Sequence, residues 1–453
     1  MGTLNQPIID HARAAQKEWA AVSITERARW LKKFQKLIVK KQDEIIAAIR
    51  EDTKKPAIEA LGIEIATVLM TADYYRKKAK KFLKPRRAQT HWMFKNKGVR
   101  VLHVPHGVVG ILGPSNLPFS LTIGDAIPAL MAGNAVVVKP SEHTPKSAEV
   151  GAKLAAEAGL PAGLLQIIQG GGEVGGQLIE QVDCIFFTGS TAVGRKVAAK
   201  AGELLKPCIL ELGGKAPMIV LEDADLARAA RACVWGRFAH SGQHCIAVER
   251  VYVDQRIAPA FLDEVVRLAQ ELNPQNLSPL TAPKTAQHIK ELKEEALTKG
   301  AKIMEPGILT NVNHTMRVMK EESFGPLLPI MAFGNEAEAL KLANDSTSGL
   351  SAVIFSRDRR RALRIAKQVE SGNVSVNDVM DHFMIMDAPF GGWKLSGLGV
   401  RHSREGLLQF TRPQTIFWHR FSLPIVRHRE FWWFPYTAWA QKLTRRLIRF
   451  FFG

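Results

Sequence analysis

The chain has 453 residues, 46% of them hydrophobic and 23% charged, a balance that excludes a disordered or fibrous protein. Its length exceeds what one hydrophobic core usually sustains, so two or more domains are expected. Lys and Arg number 62 against 43 Asp and Glu, a net charge of +19, and the four cysteines (Cys184, Cys208, Cys233, Cys245) show no C-x-x-C spacing; this argues against a disulfide framework or a cysteine-rich zinc site and points to a reducing, cytoplasmic-type compartment.

The opening MGTLNQPIIDHARAAQKEW has neither the basic start nor the apolar run of a secretory signal. Gly2 invites myristoylation, but position 6 is Gln where that motif wants Ser or Thr, so no acyl anchor is expected. Residues 8 to about 85 read as helices, with Trp30, Leu31, Phe34, Leu37, Ile38 and Ile45 at three-to-four spacing. No acid occurs from Tyr74 to Gly124, and RKKAKKFLKPRR, Arg76 to Arg87, concentrates positive charge. A solvated helix face is the favoured reading of such a run, and a polyanion-binding surface its rival.

From residue 98 short apolar, β-branched runs take over: GVVGIL, AVVVKP, LLQIIQ, CIFFTG and CILELGG, most of them separated by helix-like segments. A second set follows in APMIVL, ERVYV, AVIFS and NVSVN. This alternation predicts an α/β protein with parallel sheets and crossover helices, split into two domains near LGGKAP. There is no fixed-period repeat and no low-complexity tract.

Several strand-end turns carry chemistry. In GPSNLPFS, Asn116 follows a strand; its amide can donate to a developing oxyanion, or simply stabilise a turn. GNAVVVKPSEHTP ends a strand with Lys139 and Glu142, where a dinucleotide fold commonly places an acid for the ribose, and where a solvated loop pair would also fit. FFTGSTAVG turns at Gly189 and Ser190 into a helix whose exposed N–H groups attract phosphate, although a glycine turn serving only packing is about as common. In LELGGKAP, Glu211 closes an apolar strand, where desolvation raises a carboxyl toward general-base range; a structural ion pair competes. Finally HSGQHCIAVERVYV sets Cys245 between a glycine-containing turn and a strand. Free cysteines are mostly buried and inert, as the other three look, but this boundary suits a nucleophile.

In their order and approximate spacing these motifs, together with EESFGPLLPI, NDSTSGLSAVIFSRD and PFGGWKLSGLG, resemble the aldehyde dehydrogenase superfamily from about residue 10 to 418. The resemblance implies that fold: a Rossmann-type NAD-binding domain (1–86 and 106–214), an α/β catalytic domain (215–395), and bridging, oligomerising strands (87–105 and 396–418) that complete a homodimer or higher oligomer. It implies that a Cys245 thiolate attacks an aldehyde while Asn116 and the Cys245 N–H hold the oxyanion. Hydride loss to nicotinamide then leaves a thioacyl-enzyme, and Glu211 activates the water that releases the acid. No metal is implied. Gly189 and Ser190 would approach the pyrophosphate, Lys139 and Glu142 the adenine ribose, and Glu322 the nicotinamide ribose, with Phe324 beside it and Leu212 near the ring. Glu142 would repel a 2′-phosphate, which favours NAD, while Lys139 keeps NADP open. Two features depart from the pattern. Ser115 stands where the family commonly has Trp, and the short N-terminus resembles that of the class containing fatty aldehyde enzymes, while PFGGWKLSGLG looks like the longer soluble classes.

Beyond Trp418, residues 419–453 form a tail with seven Lys/Arg and one acid, rich in aromatics including Trp432, Trp433 and Trp439. Its uncharged stretch Phe431 to Ala440 is about half of the roughly 20 residues that span a bilayer. In the last segment Trp439, Leu443, Leu447 and Phe450 share one helical face, and Lys442, Arg446 and Arg449 another, a pattern suited to an anionic membrane interface or to docking on protein. No nucleic-acid motif accompanies these charges. The expectation is thus an NAD(P)-dependent aldehyde dehydrogenase for a hydrophobic aldehyde, cytoplasmic and peripheral on the inner face of a membrane. The alternatives are a semialdehyde dehydrogenase for a short acid such as succinic semialdehyde and, in another class, a catalytically silent membrane-bound scaffold.

Overall fold

A computed structural model describes residues 6–91, 94–421, 430 and 433–453; Gly2, Phe431 and Trp432 lie outside the described residues. The chain divides into two compact units, Met1–Phe82 with Pro105–Arg412, and Leu83–Val104 with Pro413–Gly453.

The larger unit begins with helices Gln6–Ala21, Ile24–Lys40 and Gln42–Thr53. The second starts sharply because Ser23 and Glu26 each accept the other's backbone N–H, satisfying two donors that the first helical turn leaves open. Trp30, Leu31, Phe34, Ile38 and Ile45 are buried as their spacing predicts, and Leu37 is half-buried. A fourth helical stretch, Ala57–Phe82, contains a π-turn at Ala60–Ile65 and exposes Lys77, Lys78, Lys80 and Lys81, a solvated face.

Two sheets follow. The first contains β1 (Val108–Leu112), β2 (Ala135–Lys139), β3 (Leu165–Ile167), β4 (Cys184–Thr188) and β5 (Cys208–Glu211) in the parallel order β3-β2-β1-β4-β5. This is a doubly wound order, and its switch point lies between β1 and β4, where the connections leave in opposite directions and open a crevice at the carboxyl ends. Most of these strands are buried on both faces, which is why they read as continuous apolar runs and not as alternation.

The second sheet contains β6 (Ala216–Val220), β7 (Val248–Asp254), β8 (Lys302–Met304), β9 (Ile308–Thr310), β10 (Leu328–Phe333), β11 (Ser351–Phe355) and β12 (Asn373–Val376), ordered β8-β9-β10-β7-β6-β11-β12. All pairs are parallel except β8 with β9. Every apolar run named above forms a strand; β8, β9 and β10 add to them. A short β13 (Gly397–Leu398) returns from far along the chain and pairs antiparallel with β5, setting Gly397 opposite Glu211.

In the smaller unit Lys97–Pro105 lies between Arg86–Arg87 and Thr411–His419 in a three-stranded sheet. Beyond Thr411 the side chains of the last strand are exposed. Helix Ala438–Phe452 is capped by Thr437, leaves Trp439 and Phe450 exposed with Lys442, Arg446 and Arg449, and half-buries Leu443 and Leu447. Among the described residues no helix is long and apolar enough to cross a membrane.

Candidate active site

In the larger unit the turns after β1, β4 and β5 and the turn before β7 converge on a cleft of about 570 Å³. Asn116, Gly189, Ser190, Glu211, Leu212, Cys245, Glu322 and Phe324 all line it. Lys139 and Glu142 stand apart from that lining, at the end of β2: the Lys139 ammonium donates to the carbonyls of Pro140 and Gly170 and lies 3.6 Å from the Glu142 carboxylate.

Cys245 sits behind a strained turn. His240 and Ser241 are both left-handed, with φ of 46° and 53°, which costs about 1–2 kcal/mol per residue. Side chains hold the turn in place. The Ser241 hydroxyl donates to Ser278 O at 2.6 Å, and the Gln243 amide donates to His240 O and Pro279 O. Asn116 donates one amide N–H to Gln243 O at 2.8 Å, leaving the second for another acceptor. The Asn116 loop is itself pinned by a buried ion pair: Lys55 donates to Asn116 O and to Glu64, and Glu64 accepts the N–H groups of Phe119 and Ser120. Gly214 passes so close to the Cys245 carbonyl that a Cβ there would collide with it.

Burial pushes the Cys245 thiol up to about 12, opposed by Arg401 and reinforced by Glu322 and Glu211. Glu211 is raised to about 8 by burial, with Arg401 pulling it down and Asp125 pushing it further up. Neither of its carboxyl oxygens has a hydrogen-bond partner in the protein. Once ionised, the carboxyl is therefore free to take a proton from a small molecule in the cleft, and its raised value makes it a stronger base than an ordinary carboxylate.

The opposite wall is held by a second buried ionic cluster. Glu249 pairs with Lys215 at 2.6 Å and Arg237 at 2.8 Å, and it accepts the N–H groups of Ser323 and Phe324. That fixes the neighbouring Glu322, which accepts the Gly214 N–H at 3.0 Å and is raised by burial to about 8. Helix Thr191–Glu203 opens at the cleft with Ser190 as its cap. These residues fit a nicotinamide dinucleotide: free helical N–H groups for a pyrophosphate, and a carboxylate for ribose hydroxyls.

A second, smaller pocket of about 50 Å³ also borders Cys245, lined by Ile63, Leu117, Leu121, Trp235, Met380, Phe383 and Met384, with the polar His244, Asp381 and Arg401. Motif reading did not single out these residues, nor Asp125, Lys55 or Glu64. Apolar residues on helices and loops look like core, and a lone Arg after SGLG carries no signature. Ser115, the departure from the family pattern, lies 3.0 Å from the Thr281 hydroxyl.

The sequence matches the Aldehyde dehydrogenase family over residues 6–416. The chain belongs to this family. It is 38% identical to a Methylomonas sp. 4,4'-diapolycopene aldehyde oxidase, with 99% of this chain and 87% of the relative aligned. It is 37% identical to a Mycolicibacterium smegmatis protein provisionally named succinate-semialdehyde dehydrogenase [NADP(+)], over 89% of this chain and 82% of that one. The structure resembles an NAD-dependent aldehyde dehydrogenase from Sinorhizobium meliloti with a TM-score of 0.87 at 30% identity, covering 94% of this chain and 88% of that chain. The aldehyde dehydrogenase fold expected from the motifs is thus the fold observed, and the protein is an oxidoreductase acting on aldehydes.

Proposed function

We propose that this enzyme oxidises a hydrophobic aldehyde to its carboxylic acid, with Cys245 as nucleophile. The observation that carries the reading is that Cys245 lines both the larger cleft and a smaller, mainly apolar pocket. An alkyl or polyene chain would occupy the pocket and bring its carbonyl carbon to the sulfur. The Cys245 thiol gives its proton to water in the cleft, and as the C–S bond forms the second Asn116 N–H and the Cys245 N–H receive the oxyanion. Bound in the cleft by Gly189, Ser190, Leu212, Glu322 and Phe324, with Lys139 and Glu142 toward the adenine ribose, NAD(P)+ supplies the hydride acceptor. Glu211 then takes a proton from the water that attacks the thioester carbon, and the acid leaves as the thiol reforms. The negative charge of Glu142 favours NAD over NADP. Residues 1–86 and 106–214 serve as the dinucleotide-binding domain and 215–395 as the catalytic domain.

A short acidic substrate is the second reading, favoured by the name of the Mycolicibacterium relative and by Arg401 in the pocket. Arg401, however, already faces Asp125. A panel running octanal and longer aldehydes against succinic semialdehyde, with NAD and NADP, on wild type and Cys245→Ala, tests both. Higher kcat/KM on the long aldehydes supports the first reading, and preference for the semialdehyde replaces it with the second.

Of the expected bridging segments 87–105 and 396–418, the parts in the smaller unit, 87–104 and 413–418, act as a homodimer arm, consistent with the exposed Ile416, Phe417 and Trp418, whereas Gly397–Leu398 belongs to the first sheet; sedimentation of a monomer at micromolar concentration would remove this. The tail attaches the enzyme to the inner face of a membrane, since exposed aromatics beside Lys442, Arg446 and Arg449 suit an anionic interface. Flotation with phosphatidylglycerol vesicles, full-length against a chain ending at Trp418, should show binding only for the former.

A further inference from the structure

Behind Cys245 and Glu211 lies a group of ionisable side chains that the mechanism above does not use. Arg401 is 5% exposed. Its guanidinium approaches Asp125 at 3.4 Å and Glu211 at 4.0 Å, and donates to the Thr188 hydroxyl at 2.9 Å. The rings of Phe186, Phe383 and Phe390 surround it at 5.3–6.0 Å. The Arg401 Nε, both Glu211 oxygens and the Asp125 Oδ2 make no hydrogen bond in the protein. Arg401 also lines the apolar pocket with Cys245 and, with Asp125, a separate cavity of about 20 Å³, room for one water.

The charges do not balance. One cation faces two carboxyls, and a third negative group arises whenever Cys245 is a thiolate. Of the other charged groups packed near this site, Lys55 is paired with Glu64, and Lys215 and Arg237 with Glu249; Asp381 lines the same pocket as Arg401 and Cys245, and burial raises its carboxyl. Glu322, itself raised by burial, opposes ionisation of Cys245 when it is charged. His244 and His402 are held neutral by burial, and the Tyr75 phenol is held protonated. Opposite charge within about 4–6 Å favours ionisation and like charge opposes it; Asp125 and Glu211 lie within that range of the guanidinium, and Cys245 lines a pocket with it and is eased toward ionisation by its charge.

We propose that Arg401 is a positioning residue, the shared counter-charge on which Glu211 and Cys245 draw in turn, and that Asp125 competes with them for it and so tunes both. The proposal rests on the catalytic reading of Cys245 and Glu211. It predicts opposite effects for its two halves. Removing the cation should make both groups harder to ionise, and removing the Asp125 charge should make both easier.

The test uses the full-length enzyme and four variants: Arg401→Met, Arg401→Lys, Asp125→Asn and Cys245→Ala. Two quantities are read, the pH midpoint of aldehyde oxidation with NAD+ and the rate at which iodoacetamide alkylates the Cys245 peptide, followed by mass spectrometry. Arg401→Met should raise the midpoint by about one pH unit and slow alkylation about tenfold at fixed pH, because the ionised fraction of a mostly protonated group falls tenfold for each unit its pKa rises. Arg401→Lys should recover part of both. Asp125→Asn should lower the midpoint and speed alkylation, and this arm stands even if Arg401→Met does not fold. Unchanged midpoints and alkylation rates in the Arg401 and Asp125 variants, or changes of the same sign, would overturn the proposal while leaving the catalytic reading intact. Undiminished oxidation in Cys245→Ala would overturn the catalytic reading itself.

Discussion

The cleft of about 570 Å³ that Cys245 lines is walled by strand-end turns, carboxylates and hydroxyls; the pocket of about 50 Å³ that it also lines is walled by Leu117, Trp235, Met380 and Phe383. The cleft is a property of the fold, since a doubly wound sheet opens a crevice wherever its strand order reverses. The pocket is a property of individual side chains from several separate segments. On the proposed reading, chemistry common to the family belongs to the first, and choice of aldehyde to the second. Substitutions can separate the two.

The largest effect is expected at the junction. Cys245→Ala should abolish aldehyde-dependent reduction of the cofactor, by about four orders of magnitude or more, because the covalent route is lost outright; initial rates of absorbance at the reduced nicotinamide band measure it. Glu211→Gln should cost about 10²–10⁴ in turnover and leave a burst of one reduced cofactor per site, since hydride loss from the thiol adduct, which forms the thioester, outruns hydrolysis. Both variants lose the cleft's chemistry but keep the pocket, so the affinity for a long aldehyde should persist.

The pH response follows from Glu211. Its folded value, raised to about 8, keeps it mostly protonated at pH 7, and a protonated carboxyl cannot act as base. Turnover limited by hydrolysis should therefore rise with pH through about 8 and fall tenfold per unit well below it. A profile flat from pH 6 to 9 would mean that another step limits the rate.

Smaller effects belong to the walls. Trp235→Ala should lower the octanal-to-acetaldehyde ratio of kcat/KM about tenfold, because lost apolar contact in a binding pocket is worth roughly 1–3 kcal/mol. A uniform loss on both substrates would instead place Trp235 outside the specificity surface. Ser115→Ala removes only the hydrogen bond to Thr281 and should change kcat/KM by less than about threefold.

The same division explains what was legible in the sequence. Asn116, Gly189, Glu211 and Cys245 stand out because each lies where a buried strand meets a turn, and a polar or small residue at that junction breaks an apolar run. Lys139 and Glu142 stand out for the same reason, yet they end β2, one strand away from the switch point, and so stay outside the cleft around Cys245. Trp235 and Met380 were indistinguishable from core. Only tertiary packing reveals that one face of them borders empty space. Asp125 lies in a helix of otherwise apolar residues, and Arg401 is 276 positions along the chain from it, so no local pattern joins them. The π-turn at Ala60–Ile65, which puts Glu64 beneath the Asn116 loop, leaves no mark in hydrophobic periodicity.

The pairing of Gly397 with Glu211 has a consequence for biosynthesis. The strand bearing Glu211 lacks this neighbour until Gly397, 186 positions further along the chain, has been made, and Arg401 arrives four residues later still. A nascent or truncated chain that stops short of this return holds the thiol and the carboxyl without the backbone clamp and the guanidinium that order them. Assembly of the cluster around Cys245 and Glu211 is thereby tied to synthesis of residues 397–401.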